Sequence, residues 1–82
     1  SQNYPNPFNP STIINYSLPV QSNVFIKVFD VLGKEVGNLI NEMQTAGIHS
    51  VEFNAVNLPS GVYYYRIEAN DFVDTKKMLL IK

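Results

Sequence analysis

Gly61-Val62-Tyr63-Tyr64-Tyr65-Arg66-Ile67-Glu68-Ala69-Asn70-Asp71-Phe72 decides the fold class. Its first half is rich in β-branched and aromatic residues, which suit a pleated, half-buried surface. Arg66 and Glu68 share a face with Val62 and Tyr64, which turns Tyr63, Tyr65 and Ile67 to the core. Asn70-Asp71 reads as a two-residue hairpin loop, because both residues tolerate a positive φ. That loop pairs Ala69 with Phe72, Tyr65 with Lys76 and Tyr63 with Met78. The returning strand runs from Phe72 to Lys82, and its stretch Met78-Leu79-Leu80-Ile81 is apolar on both faces. Such a stretch is either central in its sheet or covered.

Period two continues upstream. Thr12 to Leu18 reads as a strand with Ile14, Tyr16 and Leu18 on one face. After a turn from Pro19 to Asn23, a second strand reaches Phe29. It has Val24, Ile26 and Val28 inward and Phe25, Lys27 and Phe29 on the other side. Asp30-Val31-Leu32-Gly33 fits a type I turn closed by a glycine bulge. Lys34 to Ile40 is a third strand. Asn41 to Gly47 reads as a polar connection with at most one helical turn at Glu42-Met43-Gln44. From Ile48 to Asn54, His49, Val51 and Phe53 alternate with Ser50, Glu52 and Asn54. Leu58-Pro59-Ser60-Gly61 is read as a turn with proline second and glycine fourth. Leu58-Pro59 ahead of Tyr63 suggests a corner tyrosine whose hydroxyl bonds nearby backbone. The expected architecture is all-β, an Ig-like antiparallel β-sandwich of about seven short strands.

The chain opens on Tyr4-Pro5-Asn6-Pro7-Phe8-Asn9-Pro10. Each proline removes a backbone donor and pushes its predecessor towards extended geometry. The run therefore reads as a stiff lead-in over residues 1–11, ahead of a sandwich over residues 12–82, in one domain. No secretory leader is read, and Ser1 looks like a domain edge.

Six basic and seven acidic residues leave a net charge of −1, which argues against a nucleic-acid partner. No apolar run approaches the ~20 residues of a membrane span. With no cysteine, neither a disulfide nor a thiolate site is available. The catalytic inventory is thin: the single histidine, His49, sits mid-strand, and no phosphate loop, nucleophile elbow or zinc motif occurs. The chain is not read as an enzyme and no cofactor is expected. Asp71 and Asp74 flank a turn but lack the oxygen ligands a calcium loop needs, so they read as a solvated tip. Asn15-Tyr16-Ser17 matches the glycosylation triplet and is read as unused. Phe25, Phe29 and Tyr64 look outward and form a candidate sugar-stacking platform, weighed against cross-strand pairing. Lys76, Lys77 and Lys82 make the chain's end basic, as edge strands use lysine against aggregation.

Several stretches in order carry a resemblance. They are Asn3-Tyr4-Pro5-Asn6-Pro7-Phe8-Asn9-Pro10-Ser11-Thr12, Ile14-Asn15-Tyr16-Ser17-Leu18-Pro19 and Val28-Phe29-Asp30-Val31-Leu32-Gly33-Lys34-Glu35-Val36. Ala46-Gly47, Leu58-Pro59-Ser60-Gly61-Val62-Tyr63-Tyr64-Tyr65-Arg66 and Lys76-Lys77-Met78-Leu79-Leu80-Ile81-Lys82 complete the set. Together they resemble the type A C-terminal sorting domain of proteins exported by the type IX secretion system. Phe29, where tyrosine is expected, and Gly37, where a larger residue is expected, depart mildly from the pattern. The resemblance implies a covalently fused N-terminal passenger that crosses the inner membrane by its own signal. It also implies recognition by an outer-membrane translocon, removal by a sortase-like protease, and delivery to the cell surface or medium. In family terms the Pro5-Asn6-Pro7 region, Gly61 with Tyr63, and the last strand ending in Lys82 matter most.

Physical reasoning adds a hypothesis: Lys76, Lys77, Met78, Leu79, Leu80, Ile81 and Lys82 form a docking strand, read by strand addition or by a groove. Pro5 to Pro10 then marks where the folded module begins. The competing readings are a carbohydrate-binding or adhesive accessory module and an Ig-like domain of flagellar hook-capping type.

Overall fold

The computed structural model describes residues 3–82; Ser1 and Gln2, where the lead-in reading starts, lie outside them. Among these residues there are six strands and no helix: β1 (Ser11–Leu18), β2 (Ser22–Asp30), β3 (Glu35–Gln44), β4 (Gly47–Asn54), β5 (Gly61–Ala69) and β6 (Phe72–Leu80). β1 pairs with β4 in one sheet, and the other has the order β3-β2-β5-β6. All pairings between strands are antiparallel. The two inner faces enclose one core, as in a sandwich.

The alternation read from the residues places the core. Ile14, Tyr16 and Leu18 of β1 are buried, as are Val24, Ile26 and Val28 of β2 and Tyr63, Tyr65 and Ile67 of β5. Ala69 faces Phe72, Tyr65 faces Lys76 and Tyr63 faces Met78, and Asn70 takes φ +54° in the loop between. Asp30 closes the β2–β3 turn: its carbonyl accepts from Gly33 at 3.0 Å, and its carboxylate accepts from the amides of Leu32 and Lys34, both at 2.9 Å. Gly33 sits at φ +85°, where a side chain is disfavoured.

Three local expectations need correction. The polar stretch Asn41 to Gln44 is not a connection with a helical turn; it extends β3, with Asn41 opposite Phe25 and Gln44 opposite Ser22. β3 is an edge strand, so its polar side chains meet water while its backbone pairs with β2. Only Thr45 and Ala46 separate it from β4, and the strands number six where about seven are expected. The hydrogen-bonded turn before β5 lies at Ala55 to Leu58 (Leu58 N to Ala55 O, 3.0 Å), three residues ahead of the expected one. β6 ends at Leu80, two residues before Lys82.

The lead-in belongs to the sandwich. Tyr4 exchanges two backbone hydrogen bonds with Ile13 on the free edge of β1, both at 2.9 Å. The carbonyl of Pro10 accepts from Ala55 at 2.9 Å, and Thr12 Oγ1 donates to Pro5 O at 2.8 Å. Phe8 is 2% exposed, with its ring 6.0 Å from that of Phe53. The run is a lead-in that packs on the sandwich. Its prolines shape a bent segment that lays one aromatic into the core.

Burial also sets an alkaline limit. The Tyr65 hydroxyl is pushed up to about 12, first by burial and then by the Asp74 carboxylate, with a backbone hydrogen bond at Asn3 opposing. An unfolded tyrosine titrates at about 10. Between the two values the folded chain holds a proton that the unfolded chain has released, so stability is intact below pH ~10 and falls as pH rises towards ~12. Tyr63, raised by burial and then by Asp30, acts in the same direction. Circular dichroism is expected to show unfolding within this window, with the midpoint moving upward in Tyr65→Phe.

Candidate functional site

The residues singled out for recognition gather at one end of the β5–β6 hairpin. Gly61 lies opposite Leu80 and Tyr63 opposite Met78. Gly61 enters β5 at φ +154°, a conformation side-chain-bearing residues rarely adopt. The Tyr63 hydroxyl donates to Pro59 O at 2.6 Å, which forms the expected tyrosine corner. Because that carbonyl belongs to an exposed residue, Tyr63→Phe is expected to cost only about 1 kcal/mol in urea titration. The corner fixes the entry into β5, and β5 fixes β6.

Pro5, Asn6 and Pro7 arrive at the same place from the other end of the chain. Asn6 Nδ2 donates to Lys77 O at 3.3 Å, and Asn6 Oδ1 accepts from Leu79 N at 3.0 Å. Phe8 N donates to Leu79 O and Phe8 O accepts from Ile81 N, both at 3.0 Å. Phe8 thus runs parallel to β6 opposite Leu80. Neither alternative for the apolar stretch Met78 to Ile81 describes it: β6 is the edge of its sheet with the lead-in along that edge, and its outer face, with Leu79 and Ile81, stays open to solvent. The proline pattern suits this place. Alternate residues of a strand aim their amides at opposite edges, so with Phe8 facing β6, Pro7 falls where the amide would point to solvent.

The side chains of this corner divide by face. Met78 and Leu80 are fully buried and Tyr63 nearly so; in the folded module they hold β6 in place. Leu79 (38% exposed), Ile81 (50%) and Tyr64 (36%) look outward. Lys76 lies further down the strand, with its ammonium 3.7 Å from Asp74. Lys77 is opposite Tyr64. Lys82 is tied back by Lys82 N to Ser60 Oγ at 3.0 Å and by Nζ to Val56 O at 2.6 Å. The corner thus presents apolar and basic side chains beside the Pro5-Asn6-Pro7 segment.

Sequence reasoning named both segments but missed their contact. The available signal was the terminal strand's need for a cover combined with a lead-in that had no partner. It also missed Phe8 as a core residue and Asn6 as the link.

Other candidates lie elsewhere and lead to no chemistry. His49 stacks on Tyr16, with centroids 5.5 Å apart, and its Nε2 is 2.7 Å from Thr45 O. The Tyr16 hydroxyl in turn donates to Gln44 Oε1. Asp74 pairs with Lys76, and among the described residues no cluster of acidic or histidine side chains is built to hold a metal ion. Phe25 and Phe29 are only half-exposed, and Arg66 lies 5.0 Å from the centre of the Phe29 ring. That cation–π contact takes the face a sugar would need. An apolar groove of about 520 Å³ lies beside the Asn70-Asp71 loop, between Leu18, Val20, Ala69 and Phe72, remote from the corner. Among the described residues no helix is long and apolar enough to cross a membrane.

Comparison with known proteins places the chain as a whole. A family model described as the secretion system C-terminal sorting domain matches residues 2–82. The chain belongs to this family, the C-terminal sorting signals of type IX secretion, and such a domain is not itself catalytic. Among solved structures it is similar to PorZ of Porphyromonas gingivalis, described as an essential bacterial surface component of the type IX secretion system. The TM-score is 0.71 at 21% identity, over 99% of this chain and 11% of that one. At that identity the likeness concerns the fold. The chain spans about a ninth of the length of PorZ. No curated protein matches the chain.

Proposed function

We propose that this module is the export address of a larger passenger fused ahead of it. The family match over residues 2–82 carries this reading. The passenger crosses the inner membrane by its own signal and passes through the periplasm. The module then meets the outer-membrane translocon. A sortase-like protease removes it, and the passenger stays at the cell surface or enters the medium. The module performs no chemistry. Its contribution is a stable sandwich that displays one corner, where Lys76 to Lys82 carry recognition and Pro5, Asn6 and Pro7 complete the folded unit.

The test is a periplasmic reporter with its own signal peptide, fused to residues 1–82 in a bacterium that has the type IX system. Surface exposure of the reporter, measured by protease accessibility of intact cells, is expected only with the module attached. A reporter that stays periplasmic with the module attached contradicts the reading.

A further inference from the structure

In a parallel pair, a residue opposite position j bonds the carbonyl of j−1 and the amide of j+1. Phe8 does this against Leu80, using Leu79 O and Ile81 N. The next backbone unit along the lead-in belongs opposite Met78, on Lys77 O and Leu79 N. Those two groups are instead met by the side-chain amide of Asn6. One peptide and one imitation of a peptide therefore cover this edge.

The covering residues 6–9 form a strap pinned at both ends to other parts of the sandwich. On one side Tyr4 pairs with Ile13 and Thr12 holds Pro5 O; on the other, Ala55 holds Pro10 O. Lifting the strap from β6 breaks neither pin, and it takes Phe8 out of the core. Beneath the strap, the backbone edge at Lys77 and Leu79 continues through Thr75 and Val73, and among the described residues no other strand pairs at those two positions. A regular strand laid there makes a longer ladder than the strap does.

We propose that the edge of β6 is a strand-acceptor site, that the strap is its removable cover, and that its partner is an extended, proline-free segment. That segment places a large apolar side chain in the slot now filled by Phe8. The inference rests on the sorting reading only for the partner's source, the secretion machinery; strap exchange is a property of the isolated chain.

Amide hydrogen exchange of the purified 82-residue chain tests the strap. The Ile81 amide, whose partner is Phe8, is expected to exchange about tenfold or more faster than those of Met78 and Leu80, which pair with β5. In Asn6→Ala the Ile81 rate rises further while β5 stays protected. The binding probe is a synthetic proline-free strand peptide with one central phenylalanine, and a control peptide carries serine there. The phenylalanine peptide is expected to bind Asn6→Ala about tenfold more tightly than wild type, the gain from a roughly tenfold larger strap-open population once the two Asn6 bonds are lost. The serine peptide is expected to bind neither. An Ile81 amide as slow as its neighbours, or equal peptide affinity for both chains, overturns the proposal. Neither measurement involves secretion, so failure here is separable from failure of the reporter fusion.

Discussion

Phe8→Ala is expected to cost about 3–5 kcal/mol, the usual penalty for truncating a buried phenylalanine. The residue belongs to a segment that, as sequence, reads as a stiff lead-in. In the fold it is 2% exposed and packs against Phe53. A domain of this size has about 4–12 kcal/mol of stability in all. The substitution therefore removes a large share of it and, at the lower end, unfolds the chain. Urea titration followed by circular dichroism measures the effect. A loss below about 1 kcal/mol would mean that the lead-in is not part of the core, since surface changes fall in that range.

The second large effect is on delivery. Deleting Met78 to Lys82 is expected to abolish surface delivery of a fused reporter, but the fold gives this outcome two causes. Met78 and Leu80 are fully buried, and each such side chain contributes about 1.5–3 kcal/mol. The deletion also strips the Leu79 partner of Asn6 and the partners of Phe8 and Gly61. Unfolding alone is enough to destroy the signal. Substitutions on the outward face separate the causes. Leu79→Asp with Ile81→Asp changes side chains that are 38% and 50% exposed and keeps Met78 and Leu80 in the core. This double variant is expected to keep its circular dichroism spectrum and to lower surface delivery at least about tenfold, the effect of losing roughly 1.4 kcal/mol of docking energy.

What the residues disclose is governed by distance along the chain. The β5–β6 register follows from a two-residue loop, so Tyr63 opposite Met78 is legible locally. The inward faces of β1 and β2 follow from strict alternation around Ile14 and Val24. The end of β3 is not legible, because Asn41 to Gln44 is a polar edge strand with the composition of a loop. The turn before β5 misleads for a different reason: Pro59 and Gly61 carry the usual turn signs, while the closing hydrogen bond forms at Ala55. The corner is the hardest part. Its residues are recognisable singly, but Asn6 meets Leu79 across 73 positions through a side chain imitating a peptide, and no period or spacing encodes that contact.

The most direct measurement is surface delivery of one signal-bearing reporter fused to the wild-type module or to the folded Leu79→Asp/Ile81→Asp variant. Both fusions are expressed in paired strains with and without the outer-membrane translocon. Delivery is expected for the wild-type fusion only, and only where the translocon is present. Equal delivery of both fusions, or delivery that persists without the translocon, contradicts that expectation.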